Sequence, residues 1–144
     1  MTSSVSTAPL GTAWAGDVLA PPIRVAVVDD HPLVRQSIRA LLSGELDMEW
    51  VGEASDGAEA VELVARTEPD IVLMDLSMPG TDGLTATEQI TSSASTARVL
   101  VLTTSVDPSR FRRSLDAGAA GVLDKDGNPA SLLAGIRDVF RAER

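Results

Sequence analysis

Three short runs in this 144-residue chain are apolar almost without interruption: VAVV at 25–28, IVLM at 71–74 and VLVL at 99–102. A strand with one face in water alternates apolar and polar residues, so strands apolar throughout must be covered on both faces. With the shorter runs Trp50–Ala54 and Gly121–Leu123, the expected strands are Ile23–Val28, Trp50–Ala54, Ile71–Met74, Val99–Leu102 and Gly121–Leu123. The segments between them carry helical spacing. The first holds Leu33, Val34, Ile38, Leu41 and Leu42, and the last holds Leu132, Leu133, Ile136, Val139 and Phe140. Helix starts are marked by His31-Pro32, Asp107-Pro108 and Asn128-Pro129, with proline at the first helical position, and by Asp82-Gly83. Asp56 followed by Glu59 reads as a capping box, and Gly118 as the stop of the fourth helix. Strict alternation of strand and helix, with right-handed crossovers, predicts an α/β fold: a doubly wound, five-stranded parallel sheet of (βα)5 form, with helices on both faces.

Residues 1–22 stand apart. Fifteen of them are Ser, Thr, Ala, Gly or Pro, and Asp17 is their sole charged side chain. This composition predicts a flexible leader, closed off by Pro21-Pro22, ahead of one domain at 23–144 whose ordered part runs from Ile23 to about Ala142. The leader lacks the basic start and apolar stretch of a secretory signal, and no segment approaches the roughly 18 apolar residues of a membrane span. With 12 Lys and Arg against 21 Asp and Glu, the formal net charge is −9, which counts against direct binding of nucleic acid or an anionic membrane. The chain has no Cys and a single His, His31, so thiolate metal sites, Cys nucleophiles and two-imidazole sites are excluded.

Function in such sheets gathers at the carboxyl ends of the strands. The first strand ends in Asp29-Asp30, the third in Asp75 and the fourth in Thr103-Thr104, while Lys125 follows the fifth. Three carboxylates drawn together repel unless cations compensate. Lys125 supplies one positive charge, and a hard divalent ion such as Mg²⁺ would supply the rest. An aspartate beside such an ion can attack phosphorus and become an acyl phosphate, with Thr103 bonding a phosphoryl oxygen. The new group adds charge and three strong acceptors, enough to move a loop and a side chain. Plainer roles compete at several positions. Asp29 or Asp30 alone reads equally as a helix cap, His31 as a helix-start residue, Thr104 and Ser105 as loop hydroxyls, and Arg110, Arg112 and Arg113 as a solvated basic face or a partner surface.

VAVVDDHPLVR, DIVLMDLSMPGTDG, VLVLTT and AGAAGVLDKD resemble, in order, the blocks of bacterial response-regulator receiver domains. They are most similar to the branch that carries a C-terminal LuxR-type helix-turn-helix output domain, and the resemblance covers residues 23–142. It implies a CheY-like, flavodoxin-like strand order 2-1-3-4-5. It also implies Asp75 as phosphoacceptor, Thr103 as switch hydroxyl and Lys125 as the phosphoryl-pairing cation. For Mg²⁺ it implies Asp30 and Asp75 as ligands, Asp29 through water and the backbone carbonyl of Ser77. A sensor histidine kinase as donor, homodimerisation on activation, a cytoplasmic location, and DNA contact only through an output domain absent from these residues follow from the same resemblance. The protein would then catalyse its own phosphorylation and dephosphorylation only, without being an enzyme in the turnover sense.

The chain departs from that pattern at Val122, the switch position, where receivers commonly carry an aromatic; no Tyr occurs anywhere in it. A β-branched side chain is stiff and can only repack slightly. Asp124 stands where this branch generally has an apolar residue. Strand alternation predicts Val122 and Asp124 together on an output surface, with Asp124 beside one of Arg110, Arg112 or Arg113. Two other functions compete: a phosphorylation-independent receiver acting as an interaction and dimerisation module, and an Asp-nucleophile phosphatase. The phosphatase would place a second Asp two residues after the nucleophile, where this chain has Ser77. Neither glycine signature of a dinucleotide or P-loop fold follows the first strand.

Overall fold

The computed structural model describes residues 20–78, 82–104 and 107–142. Residues 1–19 of the leader, positions 79–81 of the MPGTDG turn, and Ser105 lie outside them. In chain order the elements are β1 (Ile23–Val28), α1 (Pro32–Ser43), β2 (Met48–Ala54), α2 (Gly57–Thr67), β3 (Ile71–Asp75), α3 (Gly83–Thr91), β4 (Arg98–Thr103), α4 (Pro108–Asp116), β5 (Gly121–Asp124) and α5 (Pro129–Arg141). The strands form one parallel sheet in the order β2-β1-β3-β4-β5. This is the predicted 2-1-3-4-5 arrangement.

The apolar strands are buried on both faces, as their composition requires. Alternate residues of β1, β3 and β4 feed two separate clusters. Ala26, Val28, Val72, Met74, Val99 and Val101 pack with Leu63 and Val64 of α2 and Ile90 of α3. Val25, Val27, Ile71, Leu73, Leu100 and Leu102 pack with Ile38 and Leu42 of α1 and Ile136 of α5. The period-two alternation of a strand therefore sorts every second residue to the opposite helical layer. β2 begins two residues before its expected start, at Met48. Its register against β1 slips between Val25, opposite Trp50, and Ala26, opposite Gly52. That extra residue is a bulge, which alternation alone does not reveal.

Helix starts follow the caps. Prolines open α1, α4 and α5, and the carboxylate of Asp107 and side-chain oxygen of Asn128 accept from the backbone N–H of Arg110 and Ser131. Asp56 accepts from the Glu59 N–H at 2.9 Å. The returning Glu59 carboxylate bonds the N–H and hydroxyl of Ser55 instead, one residue ahead of the usual capping-box partner. Gly118 adopts φ +103, so it closes α4 in a conformation glycine tolerates best. The apolar stripe of α1 is not all core: Leu33 is 75% exposed. No helix among the described residues is long and apolar enough to cross a membrane.

Candidate functional site

The sheet brings the predicted acids together at its carboxyl edge. β1 ends at Val28 and β3 at Asp75, and these neighbouring strands run parallel, with Val28 opposite Met74. Asp29 and Asp75 are each only 1% exposed, while Asp30 is half-buried. One ligand atom from each of Asp29, Asp30, His31 and Asp75 lies within 4.8 Å of all the others. Neither Asp29 nor Asp30 caps α1. His31 is the cap residue, and the Asp29 carboxylate folds back to accept its N–H at 2.8 Å.

Lys125 enters from the far side of the sheet. Its backbone N–H donates to the Thr103 carbonyl at 2.8 Å, which fixes the loop after β5 against the end of β4. Its ammonium lies 2.6 Å from Asp29 Oδ2 and 3.3 Å from Asp75 Oδ2. Burial works against the charge on Lys125. The hydrogen bond that the ammonium donates to Asp29 and the charges of Asp29 and Asp75 outweigh it, and the pKa is raised. The other oxygen of Asp75 accepts the Ser77 N–H at 3.1 Å. Arg35 braces the assembly from α1, donating to the Asp29 carbonyl at 2.6 Å and to Glu53 at 3.2 Å.

Three carboxylates face one ammonium here, so a second source of positive charge fits. Hard oxygen donors at this spacing suit a divalent cation of the Mg²⁺ class, which takes one or two carboxylates and keeps several waters. Asp29, Asp30 and Asp75 are the residues able to hold it.

Sequence reasoning placed His31 only at the helix start. The structure gives its ring a further part: Nδ1 lies 3.0 Å from an oxygen of both Asp29 and Asp30. The adjacency in DDH was the available signal, and the lack of a second imidazole argued it away. For Arg110 the sequence offers a solvated basic face, a partner surface or a neighbour for Asp124, and none of these is the contact found. Its guanidinium reaches back from α4 to the buried Thr103 hydroxyl at 3.4 Å, whereas Arg112 and Arg113 are exposed. Thr104 is exposed as well.

The expectation for Asp124 is corrected. It is exposed, and among the described residues no basic side chain forms an ion pair with it. Its carboxylate instead accepts the Asp126 N–H at 2.8 Å, within the turn that Gly127 closes onto the Asp124 carbonyl. A short polar side chain at a strand end satisfies its own turn more readily than it reaches another element. Val122 is half-buried against the layer of α2 and α3.

Similar proteins carry the same architecture. Over 121 residues the chain is 40% identical to the transcriptional regulatory protein LiaR of Bacillus subtilis (strain 168), covering 84% of this chain and 57% of that protein. Over 118 residues it is 42% identical to the nitrate/nitrite response regulator protein NarP of Escherichia coli (strain K12), covering 82% of this chain and 55% of that protein. It therefore spans little more than half the length of these curated relatives. The signal receiver domain of the response regulator NarL from Mycobacterium tuberculosis superposes with a TM-score of 0.82 at 35% identity, covering 86% of this chain and 100% of that one. The response regulator receiver domain model matches residues 25–137, which contain every strand-end acid and Lys125. With sheet order, acidic edge and sequence in agreement, the chain belongs to the response regulator receiver domain family, in its LuxR/NarL-type branch.

Proposed function

We propose that this chain accepts a phosphoryl group on Asp75 from a sensor histidine kinase, with Mg²⁺, and switches an output domain or partner that regulates transcription. The observation that carries the reading is the Lys125 ammonium, which spans the carboxylates of Asp29 and Asp75 while Asp30 stands within the same 4.8 Å group. A cation that pairs with the reacting carboxylate is already in place for the charge that develops on phosphorus.

The geometry supports a division of labour. Asp75 is the nucleophile: one carboxylate oxygen bonds phosphorus, the donor's bond to phosphorus breaks, and the leaving group departs with that electron pair. The Ser77 N–H orients Asp75 through its other oxygen. Lys125 screens the incoming oxygens, and Thr103, buried at the adjacent strand end, is placed to donate to one of them. Asp30, Asp75 and the Ser77 carbonyl would hold Mg²⁺ directly, with Asp29 acting through water. The ion when bound would neutralise the phosphoryl oxygens. Beside Lys125 an apolar groove of about 610 Å³ runs between α1 and α5, lined by Leu33, Val34, Leu41 and Leu132. With Leu33 exposed, this groove supports docking of the phosphodonor protein next to the acceptor. Homodimerisation on activation, a cytoplasmic setting and DNA contact through a further domain belong to the same proposal.

Intact mass after incubation with Mg²⁺ and a small phosphodonor tests it. One phosphoryl adduct on the wild-type chain, lost in Asp75→Asn, is the expected result. No adduct on the wild type would favour a phosphorylation-independent interaction module, the reading that the missing aromatic at Val122 keeps open. Continuous release of phosphate over many turnovers would favour a phosphatase.

A further inference from the structure

We propose that Arg110 is the residue through which the state of Asp75 reaches α4: its guanidinium holds the Thr103 hydroxyl at rest and turns to the phosphoryl oxygens when Asp75 carries that group. The inference rests on the phosphoacceptor role of Asp75.

Three observations carry it. Arg110 Nη1 donates to Thr103 Oγ1 at 3.4 Å, at the long end for a hydrogen bond and therefore readily exchanged for a better one. The Nε of the same guanidinium is buried with no acceptor among the described residues. A buried donor left unpaired is costly, and it responds to any strong acceptor brought within reach. Finally, α4 is weakly anchored. Its one buried residue is Ser114, and that hydroxyl bonds back to the Arg110 carbonyl of its own helix. Phe111 and Leu115 are exposed, so no large apolar side chain of α4 is fixed in the core.

The position of Thr103 and the charge of the phosphoryl group favour the exchange. It follows Leu102, which pairs with Asp75 across β3 and β4, and its carbonyl accepts the Lys125 N–H. The residue whose hydroxyl Arg110 touches thus lies one position beyond the strand partner of Asp75, and its backbone holds that of Lys125. Phosphorylation turns a carboxylate into a group of roughly −1.5 to −2 charge with three acceptors. A guanidinium offers five donors in a planar fork suited to such oxygens. Because Arg110 sits in the first turn of α4, behind the Asp107 cap, its movement pulls that turn toward the pocket. A rotating aromatic side chain is not required, which accounts for Val122 at the position where one would move.

The test uses the full chain with Mg²⁺ and beryllofluoride as the phosphoryl mimic. It is read by amide NMR and hydrogen exchange at two places: residues 74–77 around Asp75, and residues 109–112 in α4. In the wild type both places respond, with exchange at 109–112 slowed at least several-fold. In Arg110→Ala the response at 74–77 persists while that at 109–112 is lost, and Arg110→Lys restores part of it. Thr103→Ala, which leaves the guanidinium in place, keeps a response at 109–112. A full α4 response in Arg110→Ala overturns the inference and leaves the function of Asp75 standing. No response at 74–77 in the wild type overturns the phosphoacceptor reading and the inference with it. If Arg110→Ala does not fold, Arg110→Gln, which keeps the three-carbon stem of the side chain but neither the guanidinium nor its charge, decides by the same two readouts.

Discussion

Lys125 illustrates how much one side chain settles. Asp29 and Asp75 are buried carboxylates at adjacent strand ends, and the single ammonium between them offsets their repulsion. Breaking a buried pair by removing one partner typically costs more than the pair contributes when intact, because a charge is left without compensation. Lys125→Met is therefore expected to lower the unfolding free energy by about 3 kcal/mol in urea titrations. Adding Asp29→Asn in the same chain should recover a large part of that loss, because one of the two uncompensated charges is gone. A Lys125→Met protein as stable as wild type would mean that the ammonium contributes nothing to holding the two strand ends together. The meeting of residues at the sheet edge was legible where residue type and strand-end position sufficed, as for Asp29, Asp30, Asp75, Thr103 and Lys125. They were not legible for His31 and Arg110, whose contacts depend on ring orientation and on how α4 approaches β4. No local pattern encodes either.

Between residues and the fold stand the elements, and here the sequence was most informative at helix starts. Proline at the first position and an Asp or Asn before it act within one turn, so they can be read without tertiary context. Strand ends were less legible. β2 starts two residues early and carries a bulge because its pairing with β1, rather than its own apolar run, sets its extent. Gly83 shows an element boundary dictated by the site. A Cβ at this first residue of α3 would lie 2.5 Å from the Asp75 carbonyl oxygen and 2.9 Å from a Leu76 methyl carbon. Glycine to alanine within a helix ordinarily stabilises by up to ~1 kcal/mol. Here the sign should reverse, with Gly83→Ala destabilising by about 1–3 kcal/mol as the backbone is forced apart. Phosphoryl loading of Asp75 should slow in parallel. Gly52→Ala is the control: its added Cβ meets the end of the Leu63 side chain at 2.7 Å, which can move aside. Thermal unfolding of the two variants should separate them, and equal losses would show that the tightness around Asp75 has no special consequence.

At the scale of the whole molecule, the net charge of −9 resolves into distinct populations. Asp29, Asp30 and Asp75 form the pocket, whereas other acids act far from it. Asp47, in the connection from α1 to β2, and Glu45 both bind Arg137 of α5. They join the early and late parts of the chain over a sequence separation of 90 residues for Asp47. Arg137 grips Asp47 with two nitrogens, at 2.8 and 2.9 Å, and that hydrogen bonding holds the Asp47 pKa below its ordinary 3.8. A carboxylate whose pKa is depressed by folding stabilises the native state fully above its unfolded pKa. The contribution disappears as pH falls through the lower native value. Both side chains remain partly in solvent, Asp47 at 47% and Arg137 at 26% exposed, so screening keeps the effect to about 0.5–1 kcal/mol. Urea unfolding of the wild type and Asp47→Asn from pH 7 down to about pH 2.5 measures it. The wild type should be more stable by a constant margin at neutral pH, and the margin should begin to close as pH drops past the unfolded pKa of an aspartate. It should vanish once Asp47 is protonated in both states, and shrink at neutral pH when salt is raised. A margin that persists unchanged at the acid end would assign the stabilisation to packing of the Asp47 loop against α5, with the ion pair contributing nothing.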